Sequence, residues 1–324
     1  MPQVGVIGAG AWGTALAIAA ARAGCAVTLW GRDPATVQAM ATAGENGRHL
    51  PGVRLPDSVR VSADIAALEA CDPVLLCVPA QTVRDVVARA PVARVVICAK
   101  GLEQRSGLRL SEVVRQERPG LAVSVLSGPS FAGELARGMP TAVTLASASL
   151  AGARELAALL AGPGFRLYPT DDLPGVEIGG ALKNVIAIAA GVVMGRELGE
   201  NARAAVVTRG LAELARLGRR LGARPETLMG LSGLGDLVLT ATSLTSRNTR
   251  FGFELGRGAA PGELMSSGHA LSEGAWTAAA ACRLAAQHGV ELPIADAVQR
   301  VIAGAWRVEQ AIEALVSRPL AASE

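Results

Sequence analysis

Aromatic residues are scarce in this 324-residue chain: four Phe, four Trp and one Tyr, 3% of the sequence. A core built on rings is excluded, and so is a base-stacking surface of interleaved aromatic and basic side chains. Lysine is scarcer still. Of 31 basic residues only Lys100 and Lys183 are lysines. A GC-rich coding sequence accounts for such a bias, but arginine holds its proton whereas lysine can exchange one. The two lysines therefore mark positions where a proton-exchanging cation is needed. There are three histidines (His49, His269, His288), far apart and without metal-ligand spacing, so no metal is expected. The five cysteines form no CxxC pair and read as free thiols of a reducing compartment. The net charge of +3 comes from scattered residues, which argues against nucleic acid. The first 21 residues lack charge, yet they have no basic lead and hold four glycines, so a targeting segment is not expected. The apolar run Val185–Met194 is too short to span a bilayer. A cytoplasmic protein with no membrane span is the expectation.

Half of the residues are hydrophobic, mostly Ala, Val and Leu, enough to bury two cores. Short apolar runs at Gln3–Ile7, Ala26–Trp30, Val74–Val78, Val92–Cys98, Ala122–Leu126 and Ala142–Leu145 read as buried strands. Helical stretches at Thr14–Ala23, Thr82–Ala90 and Leu110–Gln116 lie between them. Strands alternating with helices predict an α/β fold, a Rossmann-type doubly wound parallel sheet. After about residue 175 the strand runs stop. The spacing of Val206, Val207, Leu211, Leu214, Leu217 and Leu221 predicts a helix ended by Gly222, followed by helices over Ala275–His288 and Pro293–Val316. Two domains are predicted: 1–175, dinucleotide-binding, and 176–324, an all-α substrate and catalytic domain.

Gly8-Ala9-Gly10-Ala11-Trp12-Gly13 fits GxGxxG between a strand and a helix. The pattern suits a pyrophosphate on a helix N-terminus: Gly8 turns the chain, Gly10 admits the ligand and Gly13 lets helix and strand pack closely. Trp30-Gly31-Arg32-Asp33 closes the second strand. Arg32 favours the 2′-phosphate of NADP, and Asp33 keeps NAD possible. Val78-Pro79-Ala80, Ala99-Lys100-Gly101 and Ser127–Ala132 follow later strands, where ligands of open α/β sheets collect. In the second domain Gly179–Asn184 is expected to open an apolar helix, on which Lys183 needs either water or a buried partner. Asp236, flanked by Leu231, Leu234, Leu237 and Val238, is the candidate partner, and Thr240 shares its face if that segment is helical. Ser246-Arg247-Asn248 offers donors for a phosphate or carboxylate.

The stretches GAGAWGTA, AKGLE, LSGPSFAGE, ALKNVIAIAAG and GLGDLVLTATSLTSRN, with the later Ser272-Glu273-Gly274, occur in one order. Together they resemble bacterial NAD(P)-dependent glycerol-3-phosphate dehydrogenase over about residues 3 to 315. The resemblance implies reversible hydride transfer between NAD(P)H and dihydroxyacetone phosphate, giving sn-glycerol 3-phosphate for glycerophospholipid synthesis. It implies Lys183 as the catalytic proton donor and acceptor. Substrate contacts would be Lys100, Gly128, Ser130, Lys183, Asp236, Ser246, Arg247 and Asn248. Beyond the glycines of the turn, cofactor contacts would be Ala11, Trp12, Arg32, Lys100, Ala132, Arg247, Leu271 and Glu273. Ala11 stands where the family often has Ser, and Leu271 where Val is common. A homodimer is expected. Two other readings remain at this stage: another dehydrogenase with a Rossmann and a helical domain, acting on a hydroxy acid or sugar acid, and a dinucleotide sensor without turnover. In the sequence reading, both lysines converge on one reacting oxygen at the seam between the domains.

Overall fold

The structure is a computed structural model and describes residues 1–266 and 272–317. The chain divides into two compact units, Met1–Lys100 with Arg109–Glu177, and Gly101–Leu108 with Ile178 onward.

The first unit is an eight-stranded sheet in the order β3-β2-β1-β4-β5-β6-β7-β8. Its strands are β1 (Gln3–Ile7), β2 (Ala26–Trp30), β3 (Val59–Ser62), β4 (Val74–Leu76), β5 (Arg94–Ile97), β6 (Ala122–Ser127), β7 (Thr141–Ser147) and β8 (Phe165–Thr170). Helices α1 (Ala11–Arg22), α2 (Pro34–Ala43), α3 (Val83–Arg89), α4 (Leu110–Glu117), α5 (Ala132–Ala136) and α6 (Leu150–Leu160) connect or flank them. From β3 to β6 every neighbouring pair is parallel, and Ile7 faces Trp30 on one side and Leu76 on the other. The strand order reverses beside β1, and the carboxyl ends of β1 and β4 open there, the usual ligand crevice of such sheets.

Three features depart from the sequence reading. β7 runs antiparallel to β6, with Leu126 opposite Leu145, so the sheet is mixed. β3 and β8 are not among the strands expected from the sequence. VRVS is short and carries an arginine, and FRLYPT holds Pro169 next to its end, which looks unlike a buried strand. β8 nevertheless pairs along its length with β7.

The second unit is helical: α7 (Leu173–Gly195, whose first turns belong to the first unit), α8 (Gly199–Arg220), α9 (Pro225–Leu228), α10 (Asp236–Ala241), α11 (Arg247–Gly256), α12 (Pro261–Ser266), α13 (Glu273–Gln287), α14 (Pro293–Ile302) and α15 (Val308–Val316). α7 starts six residues before Gly179, so the Gly179–Asn184 stretch sits inside the helix rather than opening it. By length and composition α7 could cross a bilayer, but 78% of its most apolar stretch is buried in the protein, as befits a core helix. The predicted helix Pro293–Val316 is two helices, broken where Gly304 takes φ +71.

α14 has Pro293 at its first position and no capping side chain of its own. Buried Glu213 of α8 does the work from across the unit, accepting from Ile294 N at 2.7 Å and Ala295 N at 3.4 Å. A carboxylate on these two N–H groups also meets the positive end of the helix dipole. Glu213→Ala should lower unfolding free energy by about 1.5–3 kcal/mol, the range for hydrogen bonds to a charged group, read as a fall in the urea midpoint. An unchanged midpoint would rule out this carboxylate as the cap.

Candidate active site

The turn after β1 is built by contact distances. Gly8 has φ +112, and a Cβ there would lie 2.8 Å from the Cys77 carbonyl oxygen. A Cβ on Gly13 would collide with the Gly8 carbonyl oxygen, so α1 packs directly on the turn. Gly10 is the reverse case, with nothing within 4 Å of its Cβ position. It is also the N-cap of α1 and provides no side-chain cap. The first N–H groups of α1, including those of Ala11 and Trp12, thus lie at a helix N-terminus with open space above Gly10. Trp12 Nε1 is buried without a hydrogen-bond partner among the described residues. These features fit a dinucleotide pyrophosphate, which needs N–H donors and a missing side chain.

Asn46, fully buried, braces the turn from behind. Its Nδ2 donates to Ala9 O at 2.9 Å and Thr14 Oγ1 at 2.8 Å, while Oδ1 accepts from His49 N at 3.2 Å. Asn46 is not legible in the sequence, since nothing local marks an Asn that bonds 37 residues away. At the end of β2, Arg32 is exposed. Asp33 is the N-cap of α2: Oδ1 accepts from Ala35 N and Oδ2 from Thr36 N and the Thr36 hydroxyl. That hydroxyl holds the Asp33 carboxyl below its ordinary value. Both of its oxygens are committed to α2.

Beyond β5 and β6, Lys100 Nζ donates to Gly128 O at 2.9 Å, and Ser130 Oγ donates to the same oxygen at 3.0 Å. Gly128 has φ +153 and lies against Val143 of β7, where a Cβ would come within 2.8 Å of backbone. Ala132 is the first residue of α5. Below them the aligned ends of β4 and β5 bring Cys77 and Cys98 together, and burial, then the Cys98 thiol, pushes the Cys77 thiol well up.

In the second unit the decisive feature is an ion pair. Lys183 Nζ donates to Asp236 Oδ1 at 2.7 Å and to Thr240 Oγ1 at 2.7 Å. Lys183 is 7% exposed, Asp236 1% and Thr240 3%. Asp236 and Thr240 occupy one face of α10, four residues apart, as a helix requires. A single π turn at Leu231–Gly235 precedes α10. Glycines let α7 approach its neighbours at backbone distance. A Cβ on Gly179 would lie 2.5 Å from Ser232 O, and one on Gly191 would collide with Thr249 O of α11. Thr249 Oγ1 in turn donates to Thr240 O at 2.6 Å, joining α11 to α10. The helices are thereby held close enough for one lysine to reach both partners.

Ser246 is the N-cap of α11 and accepts from Thr249 N at 3.3 Å, so it is a cap rather than part of an open loop. Arg247, the first helical residue, is exposed. Asn248 is buried: Nδ2 donates to Asn184 Oδ1 at 2.9 Å, and Oδ1 accepts from Ser272 Oγ at 2.6 Å and Gly274 N at 3.0 Å. Glu273 opens α13. Leu271 lies outside the described residues. Lys183, Asp236 and Thr240 form one hydrogen-bonded set, and Asn184, Asn248 and Ser272 another, both inside an apolar helical core, a setting in which such groups persist when partnered.

Residues 3–153 match the NAD-dependent glycerol-3-phosphate dehydrogenase N-terminus and residues 172–313 the corresponding C-terminus. The chain belongs to the NAD-dependent glycerol-3-phosphate dehydrogenase family. It is 55% identical over 323 residues to the glycerol-3-phosphate dehydrogenase [NAD(P)+] of Methylobacterium radiotolerans, with 98% of this chain and 97% of that protein covered. It is 53% identical to that of Azorhizobium caulinodans, over 98% and 97% of the two chains. The crystal structure of glycerol-3-phosphate dehydrogenase from Coxiella burnetii superposes with a TM-score of 0.92 at 40% identity, covering 98% of this chain and 99% of that one.

Whether the open space at Gly10 takes the pyrophosphate can be checked. Gly10 has φ −79, which any residue adopts, so Gly10→Val should fold as the wild type does. Filling the space should weaken NAD(P)H binding, since overpacking of about 1–3 kcal/mol is roughly a fivefold to 150-fold rise in Kd. Fluorescence titration measures this, and an unchanged Kd would place the pyrophosphate elsewhere.

Proposed function

We propose that this chain reversibly converts dihydroxyacetone phosphate and NAD(P)H into sn-glycerol 3-phosphate and NAD(P)+, in the cytoplasm and as a homodimer, supplying the backbone of glycerophospholipids. The observation that carries the reading is the buried Lys183–Asp236–Thr240 cluster with its two 2.7 Å bonds. An ion pair in an apolar core is weak support for stability, because desolvating two charges offsets much of their attraction. Its retention makes sense as chemistry.

With NAD(P)H bound, its nicotinamide would supply the hydride that the ketone carbon takes up. Gly8, Gly10, Ala11, Trp12 and Gly13 hold the pyrophosphate, with Arg32, Lys100, Ala132, Arg247, Leu271 and Glu273 as the further cofactor contacts. As the carbonyl becomes an alkoxide, Lys183 stabilises the growing charge and delivers a proton from Nζ to that oxygen. Asp236 and Thr240 orient the ammonium, each accepting one of its hydrogens. In the oxidative direction Lys183 takes the proton back. Lys100, Gly128 and Ser130 supply substrate contacts from the first unit. Ser246, Arg247 and Asn248 hold the phosphate, whose binding energy positions the reacting carbon. Because Ser246 is the cap of α11, it acts by presenting the first N–H groups of that helix.

NADP is the favoured cofactor. An acidic residue that reads the ribose hydroxyls of NAD needs free acceptor oxygens. Those of Asp33 are taken by α2, and exposed Arg32 suits a 2′-phosphate. Half-exposed Met229 and Val238 offer apolar surface on the second unit for the contact of a homodimer.

Lys183→Ala should lower turnover of dihydroxyacetone phosphate by ~10²–10⁴-fold, with NADPH binding retained in a fluorescence titration. Turnover near that of the wild type would remove Lys183 from the mechanism.

A further inference from the structure

Ser272 stands at the N-cap position of α13 but makes no capping hydrogen bond. A serine at that position ordinarily accepts from an N–H of the first helical turn. Here its hydroxyl donates away from the helix, to Asn248 Oδ1 at 2.6 Å. The N–H of Gly274, the second helical residue, also goes to Asn248 Oδ1, at 3.0 Å. Asn248 therefore caps α13 from another helix. Gly274 is shaped for this: a Cβ there would lie 2.5 Å from Asn184 O and 2.9 Å from Asn248 Oδ1. Ser272 and Asn248 are both buried.

The consequence concerns which way a carboxamide faces. An asparagine side chain turned by half a rotation exchanges an acceptor for a donor edge. Two donors converging on Oδ1 fix the oxygen toward α13. The Nδ2 edge is then held toward Asn184, where one hydrogen is used at 2.9 Å and the second is the donor Asn248 has for an anion. The segments that meet at this amide each carry a residue of the proposed site next in sequence: Lys183 beside Asn184, Arg247 beside Asn248, and Glu273 between Ser272 and Gly274.

We infer that Ser272 is a positioning residue, whose hydroxyl fixes the Asn248 amide with its donor edge toward the substrate phosphate. The inference rests on the functional reading above, in which Asn248 meets that phosphate. Ser272 itself touches neither substrate nor cofactor. Without its hydroxyl, Gly274 N alone orients the amide, and phosphate affinity falls while proton transfer at Lys183 continues.

The test compares two substrates in the full-length protein: dihydroxyacetone phosphate and dihydroxyacetone, which lacks the phosphate. Ser272→Ala should raise KM for dihydroxyacetone phosphate about tenfold, the worth of one buried hydrogen bond. Its kcat should stay within about threefold, a change smaller than one such bond, and kcat/KM for dihydroxyacetone should be unchanged. Ser272→Thr, which keeps the hydroxyl, should restore the wild-type KM. Equal losses on both substrates, or an unaltered KM for the phosphorylated one, would overturn the assignment of Ser272. If Ser272→Ala folds poorly, Ser272→Cys, close in shape and a weaker donor, should show the same substrate-dependent split, and its absence would also overturn the assignment. Wild-type protein without preference for dihydroxyacetone phosphate over dihydroxyacetone would instead sink the functional reading beneath it.

Discussion

A cation almost without water sets the terms for the second unit. Lys183 lies in the most apolar helix of the chain, and its ammonium is held by one carboxylate and one hydroxyl at 2.7 Å. Leaving such a group unpartnered costs several kcal/mol, so the lysine and Asp236 each require the other. That demand reaches outward. α10 must present Asp236 and Thr240 on one face, and α7 must approach at backbone distance, which excludes a side chain at Gly179. α11 must be tied to both, through Thr249 on Thr240 and Asn248 on Asn184. Gly179 and Gly191 of α7 therefore serve the setting of the Lys183 ion pair as much as the packing.

The first unit answers a different constraint, the approach of a ligand to backbone. Here the turn after β1 is shaped by what is left out at Gly8, Gly10 and Gly13, and is stiffened by Asn46 from behind. The contrast in chemistry follows. In the sheet unit the proposed contacts are largely backbone N–H groups at helix starts and strand ends. In the helical unit Lys183, Asp236 and Asn248 are side chains oriented by other side chains.

What the sequence revealed, and what it hid, divides along the same line. GxGxxG between a strand and a helix was legible because its physics is local: a turn, a close approach, a helix start. Lys183 stood out because lysine is nearly absent, and Asp236 because leucine and valine surround it. Their pairing followed from the cost of burying either alone. Thr240 was visible as a helical neighbour of Asp236, though without an assigned role. Asn46 was not, and Asn184 and Ser272 appeared only inside quoted stretches without a role, since the side-chain bonds that define them reach 24 to 64 residues away and an isolated polar residue carries no sign of that. Nor does an apolar run encode direction, so the antiparallel β7 was hidden, as was the break at Gly304 within an otherwise helical stretch. The Ser246–Asn248 stretch was legible as a set of donors, but its first residue turned out to be a helix cap.

The central claim is that the Lys183–Asp236 pair is kept for proton transfer and not for stability. Replacing both partners together with apolar residues of similar size, Lys183→Met with Asp236→Leu, separates the two. The account predicts a urea midpoint at or above that of the wild type, since such replacements are commonly neutral or stabilising by about 1–4 kcal/mol, together with loss of dihydroxyacetone phosphate reduction. A double variant that unfolds far more readily, or that still reduces the substrate at the wild-type rate, would contradict it.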